Sequence, residues 1–145
     1  MKANFRISST ISFILVGMAM LSCTTQPPVE QEEKKSLEGV WELVSGEWTM
    51  QDTIYTFPGG DYKDMKSIKI LGKTNWANVG QDTSMDMHWA HAGIYRITED
   101  TYVQYFEISN NIKSIGDSVV YKYTLDGDFW TITREGQSEK WKRIE

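Results

Sequence analysis

Between residues 119 and 134 the chain reads VVYKYTLDGDFWTITR. In Val119–Leu125, apolar and aromatic residues alternate with other side chains, which is typical of a β-strand with one face in the core. Phe129–Arg134 is rich in aromatic and β-branched residues. Asp126-Gly127 between them is a favoured central pair for a type I′ turn. The stretch therefore predicts an antiparallel hairpin with its tyrosine face inward.

The same pattern of short strands and turns extends over residues 37–145. We predict seven more strands, at Gly39–Ser45, Thr53–Phe57, Ser67–Leu71, Thr74–Val79, Ala92–Thr98, Thr101–Ser109 and Lys140–Ile144. No amphipathic helix of about 12 residues or more is apparent. Eight or nine strands at such regular spacing favour an all-β antiparallel meander, as an up-and-down barrel or a sandwich.

The N-terminus has the pattern of a secretion signal that ends in a lipid attachment site. Lys2 and Arg6 precede an apolar run, Ile11–Leu21, which as a helix would span about 16 Å, roughly half of a membrane's hydrocarbon core. The sequence Met20-Leu21-Ser22-Cys23 follows, and it resembles a bacterial lipobox. We therefore expect residues 1–22 to be a lipoprotein signal peptide.

The resemblance to a lipobox implies that Cys23 is lipidated and becomes the first residue of the mature protein. Residues 24–36 read TTQPPVEQEEKKS, which contains too little apolar surface to build a core, so we predict that residues 23–36 form a flexible tether. Stable attachment by acyl chains takes more than one chain, as bacterial lipoproteins have. We expect a cell-envelope protein, and the absence of Asp after Cys23 favours the outer membrane.

Two motifs at opposite ends of the domain resemble the lipocalin, or calycin, signature: Gly39-Val40-Trp41 near its start and Trp141-Lys142-Arg143 near its end. The stretches 92–95, 100–102 and 123–128 are similar to bacterial lipocalin-like lipoprotein domains, most of which have no assigned function. The resemblance implies an antiparallel barrel in which Gly39 gives room at the entry. It also implies that Trp41 plugs one end and Arg143 lies across its ring, a cation–π contact of about 0.5–2 kcal/mol.

Charge and motif content disfavour several classes of function. Of 15 basic residues two precede Cys23, which leaves 13 against 20 acidic ones, and such a balance disfavours nucleic acid as a partner. The chain has neither a G-x-S-x-G elbow nor a glycine-rich phosphate loop. We therefore predict no enzymatic activity and no cofactor.

One group of residues has the composition of a metal site. His88 and His91 follow Asp82 and Asp86, but His-x-x-His side chains point to opposite faces of a strand, and a third firm ligand is missing. We therefore predict no metal.

The aromatic content indicates a binding role. Of the six Trp, seven Tyr and five Phe residues only Phe5 and Phe13 precede Cys23, which leaves 16, more than a small barrel needs to seal one end. Our leading hypothesis is a membrane-anchored module that binds a small hydrophobic ligand in the barrel. The candidate ligand-binding residues are Tyr95, Tyr102, Phe106, Tyr121, Tyr123 and Trp130, where Trp130 and Phe129 must point to opposite faces.

The alternative hypothesis is a structural or interaction lipoprotein of the envelope, whose barrel is filled by its own side chains and binds no small molecule. The segment 80–91, with Met85, Met87 and Trp89, would then offer adaptable contacts to an envelope protein partner. An interior cavity of a few hundred cubic ångströms would distinguish the two hypotheses.

Overall fold

The computed structural model describes residues 36–145, which form nine strands and one 3₁₀ turn. The strands are β1 Gly39–Met50, β2 Thr53–Phe57, β3 Met65–Leu71, β4 Asn75–Asp82, β5 Met87–Ile97, β6 Thr101–Ser109, β7 Ser118–Asp126, β8 Phe129–Arg134 and β9 Gln137–Arg143; the 3₁₀ turn is Ile112–Ser114. The bounds of β2, β6 and β8 are those predicted from the sequence. Within residues 36–145, no helix is long and apolar enough to cross a membrane.

The sheet closes on itself. β1 pairs with β3 through Gly39–Glu42 and with β9 along most of its length, from Trp41 opposite Arg143 to Trp48 opposite Gln137. All other barrel strands pair antiparallel with their sequence neighbours, which gives an eight-stranded up-and-down barrel of β1 and β3–β9. The predicted antiparallel barrel is thus confirmed. β2 is the extra strand, and it pairs with the second half of β1.

The β7–β8 hairpin forms where the sequence predicts it, but its turn lies one residue later. Asp126 pairs with Phe129, so Gly127 and Asp128 are the central residues rather than Asp126 and Gly127. Gly127 has φ of 58° and Asp128 has no positive φ. A positive φ at the first central position alone is the pattern of a type II′ turn, which selects glycine there.

The prediction that residues 80–91 connect two strands is wrong. β4 continues to Asp82 and β5 begins at Met87, so this part of the chain is mostly the end of one hairpin. The carboxylate of Asp82 accepts hydrogen bonds from the backbone N–H groups of Ser84 and Met85 at 2.8 and 3.1 Å. This local cap lets a short turn replace the expected loop.

The core lies inside the barrel and is mainly aromatic. Trp41, Trp130 and Ile132 are fully buried, and Phe129 next to Trp130 is exposed. This alternation follows from the pleat, which sends successive side chains to opposite faces. Trp130 contacts Trp41 edge to face at 5.5 Å, so the first and eighth strands share one aromatic cluster.

The described residues begin at the last position of the predicted tether. Leu37 is buried, and the carbonyl of Ser36 accepts a hydrogen bond from the Arg143 guanidinium at 2.6 Å. The predicted signal peptide, Cys23 and the rest of the predicted tether lie outside the described residues.

Candidate functional site

One end of the barrel is closed by the residues of the predicted signature; we call it the closed end. Arg143 lies over the Trp41 ring, with its Cζ 4.2 Å from the ring centroid. Its guanidinium also donates to the carbonyls of Glu38 and Ser36. The Trp41 indole N–H donates to the carbonyl of Leu37 at 2.9 Å. These contacts tie the segment before β1 to the last strand.

Gly39 has no room for a side chain at this point. Its φ is 138°, and a Cβ atom would lie 2.5 Å from both the Arg143 Nη1 and the carbonyl oxygen of Glu145. A non-glycine residue at position 39 would therefore be strained and would displace the guanidinium from Trp41.

The opposite, open end leads into an interior cavity of about 460 Å³. Its rim includes Met50, Met87, Ser114 and Arg134, which lie at strand ends or in the connection between β6 and β7. Such a volume is within the range of small-molecule binding sites. The aromatic walls are formed by Trp48, Tyr62, Trp76, Trp89, Phe106 and Tyr121.

The cavity also contains a buried lysine. Lys69 is 3% exposed, and its Nζ lies 3.6 Å from the Glu139 Oε2. The same Nζ lies 4.3 Å from the ring centroid of Trp141 and 5.1 Å from that of Trp130. Burial lowers the pKa of Lys69, because water is removed from the charged form, while the Glu139 carboxylate opposes this effect.

Glu139 is held by three N–H donors. Its Oε1 accepts from the Trp48 indole at 3.2 Å and from the Gln137 amide at 2.6 Å, and its Oε2 accepts from the Trp141 indole at 3.0 Å. Hydrogen bonds to a charged acceptor are stronger than neutral ones. Together with Lys69, these donors occupy both carboxylate oxygens and fix the position of the negative charge.

Further polar groups lie along the wall formed by β3–β6. Asn78 donates to the Ser67 hydroxyl at 2.8 Å and accepts from the Trp89 indole at 3.0 Å. The His91 Nδ1 lies 2.9 Å from the Ser109 hydroxyl. Burial lowers the pKa of His91, and the positive charge of Lys69 lowers it further. The cavity thus combines apolar surface with a few fixed polar groups.

The six predicted ligand-binding residues divide into two sets. Phe106 and Tyr121 line the cavity. The other four do not line it: Tyr95, Tyr102, Tyr123 and Trp130. The two sets differ because facing inward is not the same as facing the cavity.

Most of the four residues outside the cavity fill the closed end. Trp130 and Tyr102 are fully buried and meet edge to face at 5.0 Å, and Tyr95 donates to the Gly72 carbonyl at 2.6 Å. Tyr123 is partly buried and packs beside the core. Desolvation raises the pKa of Tyr102 well above its ordinary value, and burial also raises the pKa of Tyr121.

Several cavity residues were missed by the sequence analysis, above all Lys69 and Glu139. A signal was present for Lys69. In the predicted third strand, Lys69 shares its face with Ser67 and Leu71, both of which are buried. Because a lysine is rarely buried without a partner, composition alone assigns it to the solvent face. Its partner Glu139 is 70 positions away and is brought near only by barrel closure.

The histidines and aspartates that were considered as metal ligands do not lie together. His91 lines the cavity, His88 is exposed and Asp82 caps the β4–β5 turn. Over residues 36–145, no cluster of three or more His, Cys, Asp and Glu side chains is arranged to hold a metal ion.

Comparison with known proteins supports the fold. No family model and no curated protein matches the chain. The structure is similar to the crystal structure of an uncharacterized protein from Bacteroides eggerthii DSM 20697, with a TM-score of 0.51 and coverage of 75% of this chain and 100% of that chain. The two sequences are 11% identical, so the likeness is one of fold alone, and the resemblance to bacterial lipocalin-like lipoproteins stays a prediction.

Proposed function

We propose that this protein binds a small amphipathic molecule inside its barrel, at the bacterial cell envelope. The single observation that supports binding most directly is the open interior cavity of about 460 Å³. A barrel filled by its own side chains would leave no such space. The proposed ligand is small because the eight strands limit the diameter of the interior.

The chemistry of the cavity favours an amphipathic ligand over a purely apolar one. Aromatic rings supply a large apolar contact area, and Trp indole N–H groups are already used by Glu139 and Asn78. These internal hydrogen bonds hold the rings in place before a ligand arrives, and a preformed site loses less entropy on binding. Lys69 and Gln104 add polar groups on the same interior surface.

Binding can be tested by isothermal titration of the full chain with a panel of fatty acids, bile acids and their neutral alcohols. Val119 lines the cavity, whereas Val120 is 56% exposed on the outer face of the same strand. We expect V119W to weaken binding at least tenfold by filling the cavity. The matched variant V120W should bind within twofold of the original protein. Absence of saturable binding across the panel, or equal binding by both variants, would refute the proposal.

The proposed location is based on the N-terminal sequence. The apolar run before Cys23 and its lipobox-like context support lipidation of that cysteine. Growth of the expressing bacterium with radiolabelled palmitate should label the mature protein, and C23S should carry no label and should be absent from the membrane fraction. A labelled C23S protein, or an unlabelled original protein, would contradict the proposed anchor.

The alternative, an interaction lipoprotein with a filled barrel, has less support. Its first premise was a barrel without a cavity, and its second was an exposed connection at 80–91. The described barrel has a cavity, and residues 80–91 are largely strand, with Trp89 turned inward. We therefore favour the binding function.

A further inference from the structure

Lys69 is a cavity group with unused bonding capacity. An ammonium has three N–H donors. One of them points to Glu139 across 3.6 Å, which is longer than an ordinary charged hydrogen bond of about 2.7–2.9 Å. The other close neighbours of the ammonium are the faces of Trp141 and Trp130. An aromatic face attracts a cation, but it is a poor replacement for an oxygen acceptor.

Glu139, unlike Lys69, has its hydrogen-bonding capacity fully used. Its two oxygens accept from Trp48, Gln137 and Trp141, and Lys69 lies on the remaining side. A carboxylate has about four acceptor sites, so Glu139 has none left for a ligand. The buried pair therefore offers donors to an incoming molecule and no acceptor. This asymmetry disfavours an amine as the ligand's polar group and favours an oxygen acid.

The position of Lys69 along the barrel gives the direction of entry. Lys69 pairs with Trp41 across β1 and β3, and Trp41 belongs to the closed end. Met50, Met87 and Arg134 lie at the open end. A molecule that reaches Lys69 from the open end must pass the aromatic walls. Its polar group would then lie deepest, and its apolar part would contact Trp48 and Trp89, which lie nearer the open end.

We propose, on the basis of the proposed function, that the ligand is an amphipathic carboxylic acid that binds with its carboxylate on Lys69 and its apolar body toward the open end. The carboxylate would accept the N–H donors of Lys69 that Glu139 does not use. Binding also compensates a buried charge whose desolvation is only partly offset by Glu139. The neighbouring carboxylate of Glu139 repels a second anion, but the three N–H donors that hold Glu139 reduce this repulsion.

The preference for an acid can be measured on the original protein. The full chain is titrated calorimetrically with a fatty acid and with the primary alcohol of the same chain length, both below the critical micelle concentration. Because the two ligands share their apolar body, the ratio of their Kd values reports the polar group alone. We expect the acid to bind at least tenfold more tightly than the alcohol.

The substitution K69M then assigns this preference to one residue. Met keeps an unbranched apolar side chain of similar length but has no charge. K69M should reduce the acid-to-alcohol preference to within twofold while the alcohol retains its Kd. The matched control is K66M, because Lys66 lies on the same strand but is exposed on the outer face. K66M should keep the full preference.

The possible outcomes distinguish a failure of the carboxylate proposal from a failure of the proposed binding function. Tight binding of the alcohol with no preference for the acid would refute the carboxylate proposal and leave the binding function intact. An undiminished preference in K69M would refute the role of Lys69. If neither the fatty acid nor its alcohol binds at any chain length, the carboxylate proposal fails, and the wider panel with bile acids decides whether the binding function fails as well. If K69M does not fold, the ratio measured on the original protein still decides whether an acid is preferred.

Discussion

The guanidinium of Arg143 connects the last strand to the entry of the first, and its replacement measures how much this closure stabilises the barrel. The proposed change is R143M, which keeps much of the side chain's apolar length. It removes the cation from the Trp41 ring, 4.2 Å away, and the donors to the carbonyls of Ser36 and Glu38. The backbone pairing of β1 with β9 stays in place.

The expected loss follows from these three contacts. A cation–π contact near the surface contributes about 0.5–1 kcal/mol. Each hydrogen bond from the guanidinium contributes about 0.5–1 kcal/mol, because the carbonyls are exposed and water replaces the lost donor. The free energy of unfolding should therefore fall by about 1.5–3 kcal/mol. Since small domains are stable by about 5–15 kcal/mol, this decrease is measurable.

Urea unfolding of the full chain, followed by tryptophan fluorescence and circular dichroism, provides the assay. The matched control is K142M, because Lys142 is the exposed neighbour of Arg143 on the same strand. R143K should recover less than half of the loss, since an ammonium cannot reproduce the planar fork that reaches two carbonyls. A loss below about 0.5 kcal/mol for R143M, or a loss equal to that of K142M, would show that this contact does not stabilise the closed barrel.

Two further predictions concern the closed end and the buried tyrosines. G39A should lower the free energy of unfolding by about 2 kcal/mol or more, because position 39 has a positive φ and a Cβ there would meet Arg143 and the Glu145 carbonyl. The matched variant is G72A, because a Cβ at position 72 would make only an ordinary contact, 3.8 Å from the Asn75 carbonyl oxygen; in urea unfolding G72A should cost less than half as much as G39A. Above pH 10 stability should fall, because the unfolded chain releases phenol protons that folded Tyr121, with its raised pKa, retains. Urea titrations at pH 9, 10 and 11 measure how the free energy of unfolding decreases with pH. For Y121F this decrease should be smaller than for the original protein, by up to about 1.4 kcal/mol per pH unit. An equal decrease in the two proteins would contradict the predicted effect of burial on Tyr121.

The fold could be predicted because its signals are local. The alternation in Val119–Leu125 and the Gly127 turn together specify a hairpin without reference to the rest of the chain. The opposite orientations of Phe129 and Trp130 follow from the pleat in the same way. Where a strand begins or ends within polar sequence, the local signal is weak. The predicted connection at 80–91 was wrong for this reason, because Gly80, Gln81 and His88 have little strand propensity and are held by their pairing partners.

The candidate site was harder to predict, because it depends on how far along the barrel each inward side chain lies. Tyr95 and Tyr121 both face inward, yet only Tyr121 lines the cavity. The alternation of a strand specifies a face and says nothing about depth. The Lys69–Glu139 pair was equally hard to predict, because each residue by itself resembles a solvated surface charge.

The sequence by itself determined the all-β class, the hairpin order and which side of most strands is apolar, since these properties arise from residues close together along the chain. Only the tertiary structure decided which inward residues close one end and which surround an open cavity with a buried lysine. The physical reason is that closure joins residues about 100 positions apart, as it does Trp41 and Arg143. Burial then changes the environment of a charge in a way that no short stretch of sequence specifies.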